Sequence, residues 1–230
     1  MQTLASPKWQ QVTDFDASDR LHVIAIDGPA SSGKSTLARL LAQRLGGFGL
    51  STGQLYRWLG LLSLEQGRDI PVWQPSDFRA VERGHTLSFD YAGRTAPDAL
   101  ESREVAMAAS RISQNEALRE ALIAVQRNVA HRPLIADGRD IGTRIFPDAG
   151  TKFFVTASPD VRALRRARQL GDTSATQIAA IREELIRRDK IDSERAVAPL
   201  RAAPDALIID TSDATADQVV DRMVELLPFA

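Results

Sequence analysis

The chain contains no cysteine, so disulfides, thiolate metal sites and cysteine nucleophiles are all excluded. Its opening residues, MQTLASPKWQQVTDFDASDR, hold no apolar stretch of the kind a secretory signal needs. Nowhere does it carry the roughly eighteen consecutive apolar residues of a membrane-spanning helix. A large charge of either sign is missing too. The formal net charge is −1, which gives no general attraction to nucleic acid or to a membrane surface. These absences predict a cytoplasmic protein with small-molecule partners and neither nucleic acid nor membrane among them; a monomer is expected.

What is present suits one α/β domain with insertions better than two domains: 230 residues, 43% of them hydrophobic and 26% charged. Residues 1–20 are polar and mixed in charge, and are expected to form a loose extension. HVIAID, residues 22–27, is a short apolar, β-branched run typical of a buried parallel strand. A glycine-rich turn follows. Then STLARLLAQRL, residues 35–45, sets Leu37, Leu40, Leu41 and Leu45 on one helical face, and Gly46 and Gly47 stop the helix. A second strand is expected over 48–51 and a second helix from near Leu55.

Residues 68–105 lose the helical pattern, and HTLSFDY (85–91) within them reads as strand, so a small β-rich insertion is expected there. A long helix is expected over 104–131, with Gln114-Asn115 as the point where it would break. PLIAD (133–137), TKFFVTA (151–157) and DALIID (205–210) read as three further core strands. Basic helices are expected over 160–195, and TADQVVDRMVELL (215–227) as a closing amphipathic helix. Alternating strands and helices imply a parallel sheet with right-handed crossovers, whose ligands sit at the carboxyl ends of the strands. Gly28, Thr52 and the segment Asp137 to Asp140 all follow such ends.

GPASSGKS (Gly28, Pro29, Ala30, Ser31, Ser32, Gly33, Lys34, Ser35) matches the phosphate-loop pattern G-x-x-x-x-G-K-[ST] in full. The glycines let successive backbone N–H groups point at phosphate oxygens, and the following helix adds its positive end. Lys34 is suited to reach the β- and γ-phosphates, and the Ser35 hydroxyl to ligate Mg²⁺. A chance glycine-rich turn is the alternative; a strand before it and a helix after it argue against that. ATP is the expected nucleotide. The chain has no N-K-x-D for guanine and no hydrophobic strand ending in Asp-Glu, so a small-molecule kinase fits better than a GTPase or a motor.

Three more clusters carry phosphate- and base-reading groups. STGQLYR (51–57) ends in Arg57; ADGRDIGTRIFPDA (136–149) holds Asp137, Arg139 and Asp140; RRDKIDSERAVAPL (187–200) sets Arg188, Asp192 and Arg195 on one face if helical. Arginine's planar fork grips phosphate and stabilises charge on a moving phosphoryl group. A carboxylate near phosphates suits Mg²⁺ or a base's amino group. The plainer alternatives are a solvated, ion-paired helix face for the third cluster and a capped turn for Asp137 and Asp140. Arg162, Arg165, Arg166 and Arg168 are equally open.

In order, GPASSGKST, S-T-G-x-x-Y-R, E-V-A-x-x-A-S, D-G-R-D-I-G-T, F-P-D-A, R-R-D-x-x-D-x-x-R-A-V-A-P-L and A-x-x-I-D-T closely resemble the bacterial cytidylate kinases from about residue 22 to the end. The resemblance implies an α/β phosphate-loop nucleoside-monophosphate-kinase fold within one kinase domain over 21–230. It would have a five-stranded parallel sheet flanked by helices, a β-rich acceptor-binding insertion (about 68–105) and a helical lid (about 160–195). The implied reaction is ATP plus CMP or dCMP giving ADP plus CDP or dCDP, with Mg²⁺. Carried over by position, Gly28 to Ser35 with Thr36, Arg162 and Arg165 would bind ATP, and Ser35 and Asp137 would hold the metal. Lys34, Asp137, Arg139 and Arg188 would be catalytic. Thr52, Arg57, Ser110, Arg119, Arg139, Asp140, Arg188, Asp192 and Arg195 would surround the acceptor, with Ser110, Arg119 and Asp192 reading cytosine. Two positions depart from the family's pattern: Ser51 stands where an acid is usual, and Glu101 where arginine is common. A kinase for UMP or a small metabolite, and a nucleotide-binding regulatory module without catalysis, remain the alternatives.

Overall fold

The computed structural model describes residues 22–129 and 133–228. The expected extension over 1–20, and the end of the helix expected over 104–131, lie outside them. Described β-strands are β1 (Val23–Asp27), β2 (Phe48–Ser51), β3 (Phe78–Arg83), β4 (Thr86–Tyr91), β5 (Leu134–Gly138), β6 (Thr151–Thr156) and β7 (Leu207–Asp210). The helices are α1 (Lys34–Leu45), α2 (Gly53–Gln66), α3 (Arg103–Ile112), α4 (Glu116–Arg127), α5 (Pro159–Leu170), α6 (Ala175–Glu194) and α7 (Ala216–Glu225).

They build one seven-stranded sheet in the order β3-β4-β2-β5-β1-β6-β7. Every neighbouring pair runs parallel except β3 against β4. The expected five parallel strands are present, but the strand count has to be corrected. The insertion does not make a sheet of its own: β4 pairs with β2, and β3 continues beyond it. Its apolar residues explain this. Leu87, Phe89 and Tyr91 alternate inward and join the same buried cluster as Trp58 of α2, whose indole N–H donates to the Phe89 carbonyl at 2.7 Å.

Both faces of β1 are covered, as its unbroken apolar run requires. Val23 and Ala25 face the cluster built with α2, α3 and α4; Ile24 and Ile26 face the one built with α1 and α7. A third, smaller cluster (Ala30, Ala163, Ala167, Ile181, Leu185) packs α5 against α6 and seats both on the phosphate loop. The long helix expected from residue 104 is two helices. α3 stops at Ile112, and α4 restarts behind Asn115, whose side chain accepts from the Leu118 N–H. The break falls at the Gln114-Asn115 point because asparagine caps a helix start better than it continues one. Among the described residues, no helix is long and apolar enough to cross a membrane.

Candidate active site

A cleft of about 480 Å³ opens at the carboxyl ends of β1, β2 and β5. The phosphate loop forms one wall. Gly28 leaves β1 with φ +150°, and a Cβ there would lie 2.0 Å from the Val155 carbonyl oxygen of β6, so no other residue fits. Gly33 has φ +96° and starts α1. Lys34 Nζ donates to the Pro29 carbonyl at 2.6 Å, across the loop. Burial and then the neighbouring Arg139 push this ammonium well below its ordinary value, while Asp137 and Asp27 pull it back.

Ser35 Oγ donates to Asp137 Oδ2 at 2.6 Å. The other Asp137 oxygen is buried with no hydrogen-bond partner. Burial raises the Asp137 carboxyl, against Lys34 and the Ser35 and Ser51 hydroxyls. Ser51 thus stands beside this carboxylate. Thr52 is buried, and its hydroxyl donates to the Asp137 main-chain oxygen at 2.9 Å.

The opposite side of the cleft is rich in guanidinium groups, each with a carboxylate near it. Arg139 Nε donates to Asp192 Oδ2 at 2.9 Å, tying the end of β5 to α6. Burial works to raise the Asp192 carboxyl, but Arg139, Arg188 and Arg195 outweigh it and hold the group below the ordinary range. Arg188 is pushed down to about 10, first by burial and then by Arg139. Arg119 of α4 pairs with Asp140, donates to the Ser113 carbonyl at 3.2 Å and lies 5.5 Å over the Tyr56 ring. Ser110 and Arg119, on either side of the expected Gln114-Asn115 break, sit on α3 and α4, and both line the cleft.

The expected helical face Arg188–Asp192–Arg195 needs a correction. α6 ends at Glu194, and Arg195 has extended backbone (φ −62°, ψ 139°). It is folded back all the same, with Nη1 3.7 Å from Asp192 Oδ1 and Nη2 4.0 Å from Asp140 Oδ1. Arg162 and Arg165 do not line the cleft and instead bond main-chain oxygens of the phosphate loop and its neighbours. Arg162 pairs with Asp189 at 2.6 Å and donates to the Ala30 carbonyl at 3.2 Å. Arg165 donates to the Thr211 carbonyl at 2.6 Å and to its hydroxyl at 2.9 Å.

Asp27, which the sequence reading passed over, connects the two walls. Its carboxylate accepts from the Ile141 and Gly142 N–H groups at 2.7 and 2.8 Å, immediately after Arg139 and Asp140. Burial pushes it up to about 6 against those two donors. A lone acid closing an otherwise apolar strand is the only signal of this role in the sequence. Tyr56, Arg166 and Glu101 also line the cleft.

Among the described residues, six buried side-chain polar atoms lack a hydrogen-bond partner, and those of Arg119, Asp137, Arg188 and Arg195 belong to residues lining this cleft. Buried polar atoms are normally paired. Cations and one carboxylate gathered around unsatisfied atoms describe a seat for anionic ligands.

Comparison with known proteins agrees. The cytidylate kinase family model matches residues 24–228. A cytidylate kinase of Azotobacter vinelandii is 39% identical over 213 residues, covering 88% of this chain and 93% of that one. One of Mycobacterium avium is 40% identical over 220 residues, covering 89% and 94%. One of Vibrio parahaemolyticus is 37% identical over 219 residues, covering 91% and 97%. Among solved structures, a shikimate kinase from Bacteroides thetaiotaomicron aligns with a TM-score of 0.47 at 16% identity, covering 89% of this chain and 97% of that one, a likeness too loose to carry an argument. With the family model spanning nearly the whole described chain and these relatives matching along almost their full length, the chain belongs to the cytidylate kinase family.

Proposed function

We propose that this chain transfers the γ-phosphoryl group of ATP to the phosphate of CMP or dCMP, giving ADP and CDP or dCDP. The observation that carries the reading is the pairing, in one cleft, of a phosphate loop with a second, arginine-lined seat whose buried polar atoms lack partners. One polyphosphate and one monophosphate would satisfy both.

The loop from Gly28 to Ser35, with Thr36 at the start of α1, would wrap the ATP phosphates in backbone N–H groups. Lys34 would swing from the Pro29 carbonyl onto the β- and γ-oxygens, whose negative charge keeps its ammonium protonated. Arg162 and Arg165 would support the loop through Ala30 and Thr211. Arg57, Arg139 and Arg188 would draw the acceptor's phosphate toward the transferred group, with Thr52 beside them at the strand end. That phosphate is ionised at neutral pH. Its oxygen attacks the γ-phosphorus in line, the bond to the β-phosphate oxygen breaks, and no general base or phospho-enzyme is needed. The three arginines then stabilise charge spread over the moving group.

Mg²⁺ fits the residues present. Ser35 Oγ and the partnerless Asp137 Oδ1 are hard oxygen donors on one carboxylate–hydroxyl pair. Among the described residues there is no cluster of three or more His, Cys, Asp or Glu side chains that would form a dedicated cage. That suits an ion usually held by one or two carboxylates, substrate phosphates and water. When bound, it would supply positive charge to the β- and γ-oxygens.

The base end is best given to Ser110, Arg119 and Asp140. Both carboxylates have Arg195 within 4.0 Å, but Asp192, expected at the base, is bonded to Arg139, whereas Asp140 is paired to Arg119 next to Tyr56. A carboxylate facing the cytosine N4 amino group gains a hydrogen bond, and facing the uracil O4 it meets repulsion. Such a site discriminates by about 10⁴ or more. A monomer working in the cytoplasm, where ATP is supplied, completes the proposal.

ADP release measured with ATP and a panel of CMP, dCMP, UMP, AMP and GMP tests the reading. CMP and dCMP should be used well above the rest. Preference for UMP would move the assignment to another acceptor, and ATP binding without any ADP release would make the chain a regulatory module.

A further inference from the structure

We propose that Glu101 is an internal competitor at the acceptor seat: its carboxylate sits beside the Arg57 guanidinium that an incoming monophosphate ester would use, and so weakens acceptor binding. The proposal rests on the function proposed above.

The geometry is local and specific. Arg57 Nη1 lies 3.5 Å from Glu101 Oε2 and donates to the Leu100 carbonyl at 2.5 Å. One nitrogen is therefore anchored by the backbone and flanked by a carboxylate from the next residue. Both side chains line the cleft. They differ in setting: the Arg57 side chain is 21% exposed, and that of Glu101 72%. The arginine is fixed in the wall, while the glutamate reaches in from the mouth.

The seat it borders is crowded with guanidinium groups that act on one another. Arg57 lies within the fields of Arg166 and Arg139, which add to burial in lowering it, while Glu101 opposes them. Arg139 and Arg57 also add to burial in lowering Arg188, whose buried Nε has no partner. Asp192 answers Arg139 directly, at 2.9 Å. Glu101 is the carboxylate that answers Arg57. A phosphate arriving at these three guanidiniums shares Arg57 with Glu101, and a tethered carboxylate beside the seat repels it. An exposed ion pair in water is weak, so Glu101 gives way. The seat is thus tuned toward looser binding, and it is not blocked.

The test is calorimetric titration of CMP, and of cytidine as the phosphate-free control, into the wild-type chain and Glu101→Gln. CMP should bind the variant about two- to fivefold more tightly, the span of a solvent-exposed ion pair, and cytidine equally to both. The KM for CMP should fall in the same proportion, with the KM for ATP unmoved. CMP binding unchanged or weakened in the variant overturns the proposal, because Glu101 would then be holding Arg57 in place for the ligand. Equal tightening of CMP and cytidine overturns it as well, since the effect would not belong to the phosphate. Wild-type turnover of CMP with no gain in the variant sinks this inference alone; no CMP binding by either protein sinks the proposed acceptor too.

Discussion

Ser35 and Asp137 meet at 2.6 Å, hydroxyl to carboxylate, so the first turn of α1 and the end of β5 converge on one acid. The second Asp137 oxygen, buried and without a partner, lies at the same point. Phosphate loop and acceptor segment are thereby registered to each other before any ligand binds. Preorganised charge of this kind costs no rearrangement during transfer.

Asp137→Asn keeps the shape of that side chain and removes its charge. Turnover should fall about 10²–10³-fold, the range for losing one preorganised electrostatic contact. Initial rates across a range of Mg²⁺ concentrations check this: the variant should need more Mg²⁺ for half-maximal rate. Wild-type turnover in the variant would remove Asp137 from the chemistry.

Arg119 and Asp140 form a pair whose side chains are only 3% and 9% exposed. Removing one partner leaves the other charge buried, at about 3–5 kcal/mol. Arg119→Ala should sit at the lower end, because Arg195 Nη2 stands 4.0 Å from Asp140. Urea unfolding measures it. Replacing both residues by apolar side chains of similar size should restore most of the loss in stability while leaving CMP binding poor.

For Asp27 the sign follows from its carboxyl being raised from 3.8 to about 6 by burial. Between those values the folded chain holds a proton that the unfolded chain has released. Asp27 therefore makes stability fall as pH rises from about 4 to about 6, by at most about 1.4 kcal/mol per pH unit, and adds no slope above that window. Unfolding free energies across pH 4–7 for the wild type and Asp27→Asn provide the check. The variant should lose this contribution to the slope, and identical slopes would contradict the assignment.

Much of this was legible in advance, for reasons particular residues make plain. Gly28 to Ser35 is a contiguous motif, so its geometry is local. Ile24 and Ile26 against Val23 and Ala25 announce a strand covered on both faces. The part played by Asp27 was not legible, because its partners lie more than a hundred positions along the chain. The insertion's sheet order depends on Leu87, Phe89 and Tyr91 finding Trp58, and no periodicity encodes that meeting. Arg162 and Arg165 look like any basic helix face in sequence; what brings them to the loop's main chain is the packing of their helix, through Ala163 and Ala167, with Ala30.

Lys34→Ala should abolish turnover to about one part in a thousand or less, since the lysine is the cation closest to the loop's own carbonyls and the one built to meet the γ-phosphate. Its near-ultraviolet circular dichroism should match the wild type. Near-normal turnover in the variant would sink the phosphate-loop assignment.

The most direct measurement is the stoichiometry of products from ATP and CMP, with ADP and CDP both quantified by anion-exchange chromatography. One CDP should appear for every ADP, with ADP release close to nil when CMP is withheld. ADP formed without CDP, or equal rates with UMP in place of CMP, would contradict transfer to a cytidine monophosphate.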